Sequence, residues 1–181
     1  DGFDIMIDCY MALSVEYVLQ LVKALRAYNI RWFEEPLIPD DYKGYSELKK
    51  RLPETVISTG EHEYTRYGFS QLIDCGIDIL QPDMMWCGGM TEARRITNMA
   101  AAKDIPVIPH GSGVYAFHHQ VSFPNTPFAE FLMLSPKGDI ATPQFGSLFK
   151  NEPLPKDGKL VLSNSPGFGI EFNKKELDFI R

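Results

Sequence analysis

The sequence predicts an α/β fold built on a parallel sheet of about six βα units. Two observations predict it. Short apolar runs alternate with longer stretches of helical period, strand then helix, along the first three quarters of the chain. The polar residues also fall in a pattern: five successive runs end in ionisable side chains, at Asp8, Glu34, Glu61-His62, Asp83 and His110, and a sixth contains Glu130. Parallel strands joined by helical crossovers all point one way, so in a barrel their C-terminal ends converge on one face.

Taken in order, Phe3-Asp4-Ile5-Met6-Ile7-Asp8 reads as a short strand ending on a carboxylate. Ser14 is an N-cap for a helix over 15–26, with Val18, Leu21, Val22 and Leu25 at helical spacing, and Asn29 stops it. The run 30–33 is the next strand, ending at Glu34-Glu35-Pro36, and 42–52 is the second helix. The β-branched run 55–58 leads to Gly60-Glu61-His62, and a helix over 65–75 closes on Gly76 as C-cap. A fourth strand over 77–81 ends at Pro82-Asp83, followed by a helix over 90–102. A fifth strand over 106–109 ends at His110-Gly111, a helix covers 114–121, and 128–132 is a sixth strand. After Ser135 proline and glycine become frequent, which predicts an irregular tail with one short hairpin around 159–162. No internal repeat or low-complexity segment interrupts this plan.

Composition narrows the function classes. The 181 residues are 44% hydrophobic and 23% charged, enough for one core but short of the roughly 250 residues of a complete eight-unit barrel. The net charge is −6 with no Lys/Arg cluster, which argues against a nucleic-acid partner. An anionic substrate therefore needs local positive charge, which a bound cation can supply. Cys9, Cys75 and Cys87 are odd in number and far apart, with no CxxC pair. They read as reduced packing thiols of a cytoplasmic protein rather than as disulfides or a zinc site. No apolar run approaches the ~20 residues of a membrane span.

The strand ends carry the chemistry. Asp8, Glu34 and Glu61 come from three consecutive strands, and three crowded carboxylates raise one another's pKa unless a cation relieves them. An all-oxygen donor set points to Mg²⁺. Asp83 and His110 end the next two strands; a carboxylate beside an imidazole fixes its tautomer and raises its basicity, as a general base requires. A single Asp or Glu after a strand is more often a helix cap than a ligand, so the weight rests on the set. His118 and His119 read as packing or surface residues of a helix, Glu35 as a support for its neighbour, and Trp86 as either a pocket wall or a core aromatic.

At these residues the chain resembles the mandelate racemase branch of the enolase superfamily. The resemblance is carried by Met6-Ile7-Asp8-Cys9-Tyr10-Met11, Trp32-Phe33-Glu34-Glu35-Pro36, Ser58-Thr59-Gly60-Glu61-His62, Gln81-Pro82-Asp83-Met84-Met85-Trp86-Cys87-Gly88-Gly89, Val107-Ile108-Pro109-His110-Gly111-Ser112, Asn125-Thr126-Pro127-Phe128-Ala129-Glu130-Phe131-Leu132-Met133 and Pro166-Gly167-Phe168-Gly169, and runs from Asp1 to about Asn173. It implies the C-terminal portion of a (β/α)₈ TIM-type barrel, with the third to eighth strands over 1–135. It implies that 136–181 is a C-terminal extension packing toward a capping domain absent from this chain. Asp8, Glu34 and Glu61 then ligate Mg²⁺. His110, paired with Asp83, removes the proton alpha to a carboxylate and assists loss of the 3-hydroxyl. His62 contacts substrate near the metal, and Glu130 sits opposite the base against substrate oxygens. The implied activity is a sugar-acid dehydratase yielding a 2-keto-3-deoxy acid, in a homo-oligomer. A racemase or epimerase, and an inactive barrel fragment, are the alternatives.

Overall fold

The computed structural model describes residues 2–111 and 113–179; Ser112, in one of the motifs above, lies outside them, as does Asp1. Four parallel strands lie side by side in sequence order: β1 (Ile7–Asp8), β2 (Phe33–Glu34), β3 (Ile57–Thr59) and β4 (Ile79–Leu80). Between and after them run α1 (Val15–Leu25), α2 (Tyr42–Arg51), α3 (Thr65–Asp74), α4 (Gly89–Ala101), α5 (Val114–Gln120) and α6 (Lys174–Phe179). Asp8 pairs with Glu34, Glu34 with Ser58 and Thr59 with Leu80.

Local sequence sets the helix boundaries. The Ser14 hydroxyl accepts from the Tyr17 amide at the start of α1, and Asn29 ends the following single 3₁₀ turn in a left-handed conformation. Gly76, at φ +85, closes α3, its amide donating to Ile73.

The two sheet faces differ. Ile57 and Leu80 face the helices and pack with Val18, Tyr45, Leu48, Phe69, Leu72 and Ile96. Strand alternation sends their neighbours inward, where Trp32, Ile79 and Ile108 meet Val56 and Phe128. Trp32 and Phe128 stack at 6.1 Å, and the Arg31 guanidinium lies 5.5 Å and 4.9 Å from the two ring centres. These residues line an apolar cavity of about 340 Å³ at the N-terminal ends of the strands, away from the ionisable cluster.

Two expectations change beyond β4. The fifth strand is reduced to one parallel bridge, Leu80 with Val107, and 128–132 forms no strand. Pro106, Pro109 and Pro127 carry no amide donors. The Gly111 amide, which a ladder would use, donates instead to the Glu130 carboxylate at 2.6 Å. The segment is held by side chains, with Phe128 against Trp32 and Phe131 stacked on Phe117.

The tail folds back on α5. Tyr115 meets Phe145 and Phe168 edge-on, and the Gln144 and Phe145 amides donate to Glu152. The hairpin sits at Lys156 and Lys159, one turn earlier than expected, because Asp157 and Gly158 supply the two left-handed turn residues (φ 50 and 71). Helix α6 was not anticipated from the Pro/Gly texture.

His119 is buried between α4 and α5, its Nε2 2.7 Å from the Thr97 hydroxyl. Burial, aided by the Arg94 charge, pushes its pKa down to about 4. Between pH 6.5 and 4 the unfolded imidazole is protonated and the folded one is not. Stability is therefore full above about 6.5 and declines as pH falls toward 4, by on the order of 3 kcal/mol. Urea unfolding across that range is expected to show this slope and His119→Gln to flatten it.

Candidate active site

The candidate side chains come from the ends of strands or the turns after them, except Glu130, which lies in the irregular segment over 128–132. Asp8 ends β1, exposed, with its Oδ1 accepting from the Tyr10 amide at 2.9 Å. Glu34 ends β2, is 8% exposed, and accepts from the Trp32 indole at 3.1 Å. Burial raises its pKa, hydrogen bonds from Gln81 and Trp32 oppose the rise, and the charges of Glu130 and Asp8 add to it.

Glu61 follows β3 and stands at the centre. Its Oε1 is 3.3 Å from His62 Nδ1 and its Oε2 is 3.2 Å from His110 Nε2. Burial pushes its carboxyl up to about 7; His110 and His62 pull it down, while Glu35 and Glu34 push it up. The turn that presents Glu61 requires glycine before it. Gly60 takes φ +130, and an added Cβ would meet a Phe69 ring carbon at 2.6 Å. Gly60→Ala is expected to destabilise the fold by about 2 to 4 kcal/mol, measurable as a lowered urea midpoint.

His110 lies three residues past the Val107 bridge. Its Nδ1 is 3.0 Å from Asp83 Oδ2, and its Nε2 faces Glu61 at 3.2 Å and Glu130 at 3.9 Å. Asp83 Oδ1 also accepts from the Met85 amide at 2.7 Å, so its orientation is fixed. Burial works against protonation of His110, yet the Asp83 hydrogen bond and the charges of Glu130, Glu61 and Asp83 outweigh it and lift the pKa to about 9.

The structure brings Glu61, His62, Asp83, His110 and Glu130 together. Among the described residues, the group whose metal-ligating atoms all lie within 4.8 Å of one another is Glu35, Glu61 and His62; Asp8 and Glu34 stand outside it. Both Glu61 oxygens face imidazole nitrogens, and nothing draws the like-charged Asp8 and Glu34 closer. Even so, the shared rise of Glu34 and Glu61 with neighbouring carboxylates as contributors, and an all-oxygen set at three adjacent strand ends, fit a hard divalent cation.

Sequence reasoning understated two features. Glu35 is only 1% exposed, takes φ 39, and anchors His62 through a 2.7 Å contact to Nδ1. Tyr10 and Trp86 each meet the His62 ring edge-on, at 5.7 Å and 5.8 Å, and Tyr64 packs against Trp86 at 5.4 Å. Burial and then nearby carboxylates push the Cys9 and Cys87 thiols up to about 11, which disfavours the nucleophilic thiolate at both.

Parallel βα units with carboxylates and imidazoles clustered at their C-terminal ends define part of a TIM-type barrel. A family profile described as enolase C-terminal domain-like matches residues 1–176. The chain belongs to that family. It is 49% identical over 173 residues to L-rhamnonate dehydratase of Saccharopolyspora erythraea, covering 94% of this chain and 44% of that protein. Rhamnonate dehydratase from Gibberella zeae, solved complexed with Mg, superposes with a TM-score of 0.93 at 48% identity, over 98% of this chain and 44% of that one. A racemase from Streptomyces coelicolor A3(2) with bound magnesium superposes at 0.85 with 25% identity, over 99% and 47%. The chain thus spans less than half the length of these relatives. Among the described residues no helix is long and apolar enough to cross a membrane.

Proposed function

We propose that this chain supplies the metal-binding and acid/base half of a Mg²⁺-dependent acid-sugar dehydratase acting on L-rhamnonate. One observation carries the reading: His110 is held by Asp83 on one side and turns its other nitrogen toward Glu61 and Glu130. That is the arrangement a base needs when its target proton lies beside a metal-held carboxylate. The identity near one half to two rhamnonate dehydratases, against one quarter to the racemase, supports dehydration over racemisation.

Asp8, Glu34 and Glu61 would hold the cation. When bound, it supplies positive charge against the negative charge that develops as a carboxylate's α-proton leaves. This chain's residues do the rest. In its neutral form His110 takes the C2 proton at Nε2, with Asp83 holding the Nδ1 proton and so fixing the tautomer. The resulting imidazolium returns that proton to the departing 3-hydroxyl, which leaves as water, giving an enol that ketonises to the 2-keto-3-deoxy acid. His62, clamped by Glu35, Tyr10 and Trp86, orients substrate beside Glu61. Glu130, fixed by the Gly111 amide, faces substrate oxygens across from the base. We assign the barrel portion to 1–135 and a C-terminal extension, directed toward a capping domain, to 136–181.

The test is incubation of the intact protein with Mg²⁺ and a panel of aldonic acids in D₂O. A 2-keto-3-deoxy product from L-rhamnonate is expected. Deuterium exchange at C2 without water loss would move the assignment to a racemase. No product and no exchange with any acid would overturn both.

A further inference from the structure

The C-terminal tail reaches the acid/base pair through one side chain. Its anchor is Glu152, 9% exposed, whose two carboxylate oxygens accept separately from the Gln144 amide at 2.7 Å and the Phe145 amide at 3.1 Å. Such charge-assisted bonds are stronger than neutral ones. They fix the 144–145 step beside α5, where the Phe145 ring meets Tyr115 at 6.0 Å.

From that backbone the Gln144 side chain meets two glycines that follow His110. A Cβ added at Gly113 would lie 3.2 Å from Gln144 Oε1 and 3.3 Å from Glu152 Oε1. One added at Gly111 would lie 3.5 Å from Gln144 Nε2 and 3.3 Å from Asp83 Oδ2. Bare glycines at these positions let the tail come this close, and the carboxamide has one end at each. Its nitrogen end shares a small space with the Asp83 oxygen that stands 3.0 Å from His110 Nδ1. Gly111 is bonded directly to His110, and its amide donates to Glu130 at 2.6 Å. The immediate neighbour of the histidine is therefore held by a residue of the site and walled by a residue of the tail.

We propose that Gln144 is a positioning residue for His110: seated by Glu152, its carboxamide packs against Gly111 and Gly113 and keeps the imidazole where it serves both proton transfers. The inference rests on His110 as the base of the preceding section and deepens that reading. One imidazole takes the C2 proton and hands it to the departing 3-hydroxyl, so its position must suit two substrate atoms. A displacement of about 1 Å can cost about 100-fold in rate. The irregular tail thereby takes a part in the chemistry that its Pro/Gly texture does not show.

The intact protein, turning over L-rhamnonate with Mg²⁺ in D₂O, tests this. The readout is the deuterium at C2 of recovered substrate for each 2-keto-3-deoxy product formed. A variant that merely folds less well lowers kcat but leaves that ratio as in the parent. Gln144→Ala is expected to lower kcat about 10- to 100-fold and to leave KM and Mg²⁺ affinity unchanged. The ratio should rise several-fold, as the intermediate picks up solvent deuterium at C2 more often than it loses water. Gln144→Asn keeps the amide but shortens its reach by one methylene, and Glu152→Gln removes the charge that seats it. Both should shift the ratio the same way, and they decide the matter if the Ala variant does not fold. An unchanged ratio in the variants, or a loss of Mg²⁺ affinity in its place, would overturn the positioning role. If the parent exchanges C2 without losing water, the dehydratase reading fails by itself. The positioning role is then decided by the exchange rate, expected to fall about 10- to 100-fold in Gln144→Ala. A parent showing neither product nor exchange with any aldonic acid brings down the base and its positioning residue together.

Discussion

His110→Asn in the intact protein is expected to lower kcat by about 10³- to 10⁴-fold and to abolish exchange of the substrate C2 proton with D₂O. Asn fills nearly the same space and can still meet Asp83, but it offers no basic nitrogen. The ring it replaces has both nitrogens engaged by carboxylates, Nδ1 at 3.0 Å from Asp83 and Nε2 at 3.2 Å from Glu61. Substrate KM should change little, because the lost group acts on a proton and not on the metal-held end. Retained exchange in this variant would remove His110 from the role of base and leave Glu130 or His62 to be tested in its place.

Glu61→Gln is expected to abolish activity and to weaken Mg²⁺ binding by at least about 10²-fold, read by calorimetric titration. The amide keeps the size but removes the charge at the point where two imidazoles and the acidic cluster meet. The parent's own pH dependence gives a second measure. Burial holds the Glu61 carboxyl up at about 7 in the metal-free protein, so below that pH a proton competes for the ligand oxygen. Mg²⁺ affinity should therefore rise with pH up to about 7 and level off above it, with proton release on binding. In Glu61→Gln that pH dependence should shrink to the part that Glu34, also raised by burial, contributes. An affinity that persists in the variant would shift the ligand role toward Glu35 and His62, which share the tight group with Glu61.

The strand ends were legible because short apolar runs joined by crossover helices fix direction, and direction fixes which residues reach the mouth. Asp83 and His110 were legible as a pair for the same reason, and the 3.0 Å contact follows from neighbouring strands in register. The last third was less so. Residues 128–132 have the composition of a strand, yet pairing is decided by which amides face which carbonyls, and here a carboxylate takes the Gly111 amide. Glu35 was legible as a support for a ligand but not as the anchor of His62, because that link depends on a φ of 39 rather than on residue type.

The chain has two tryptophans, and both touch the site. Trp32 donates its indole proton to Glu34, and Trp86 stands against His62. The first is 5% exposed and the second 46%. Ultraviolet emission therefore carries two separable signals: a blue component sensitive to what happens at a ligand carboxylate, and a redder, quencher-accessible one sensitive to what enters the mouth. Occupancy of the two halves of the site can be followed optically, without label or turnover.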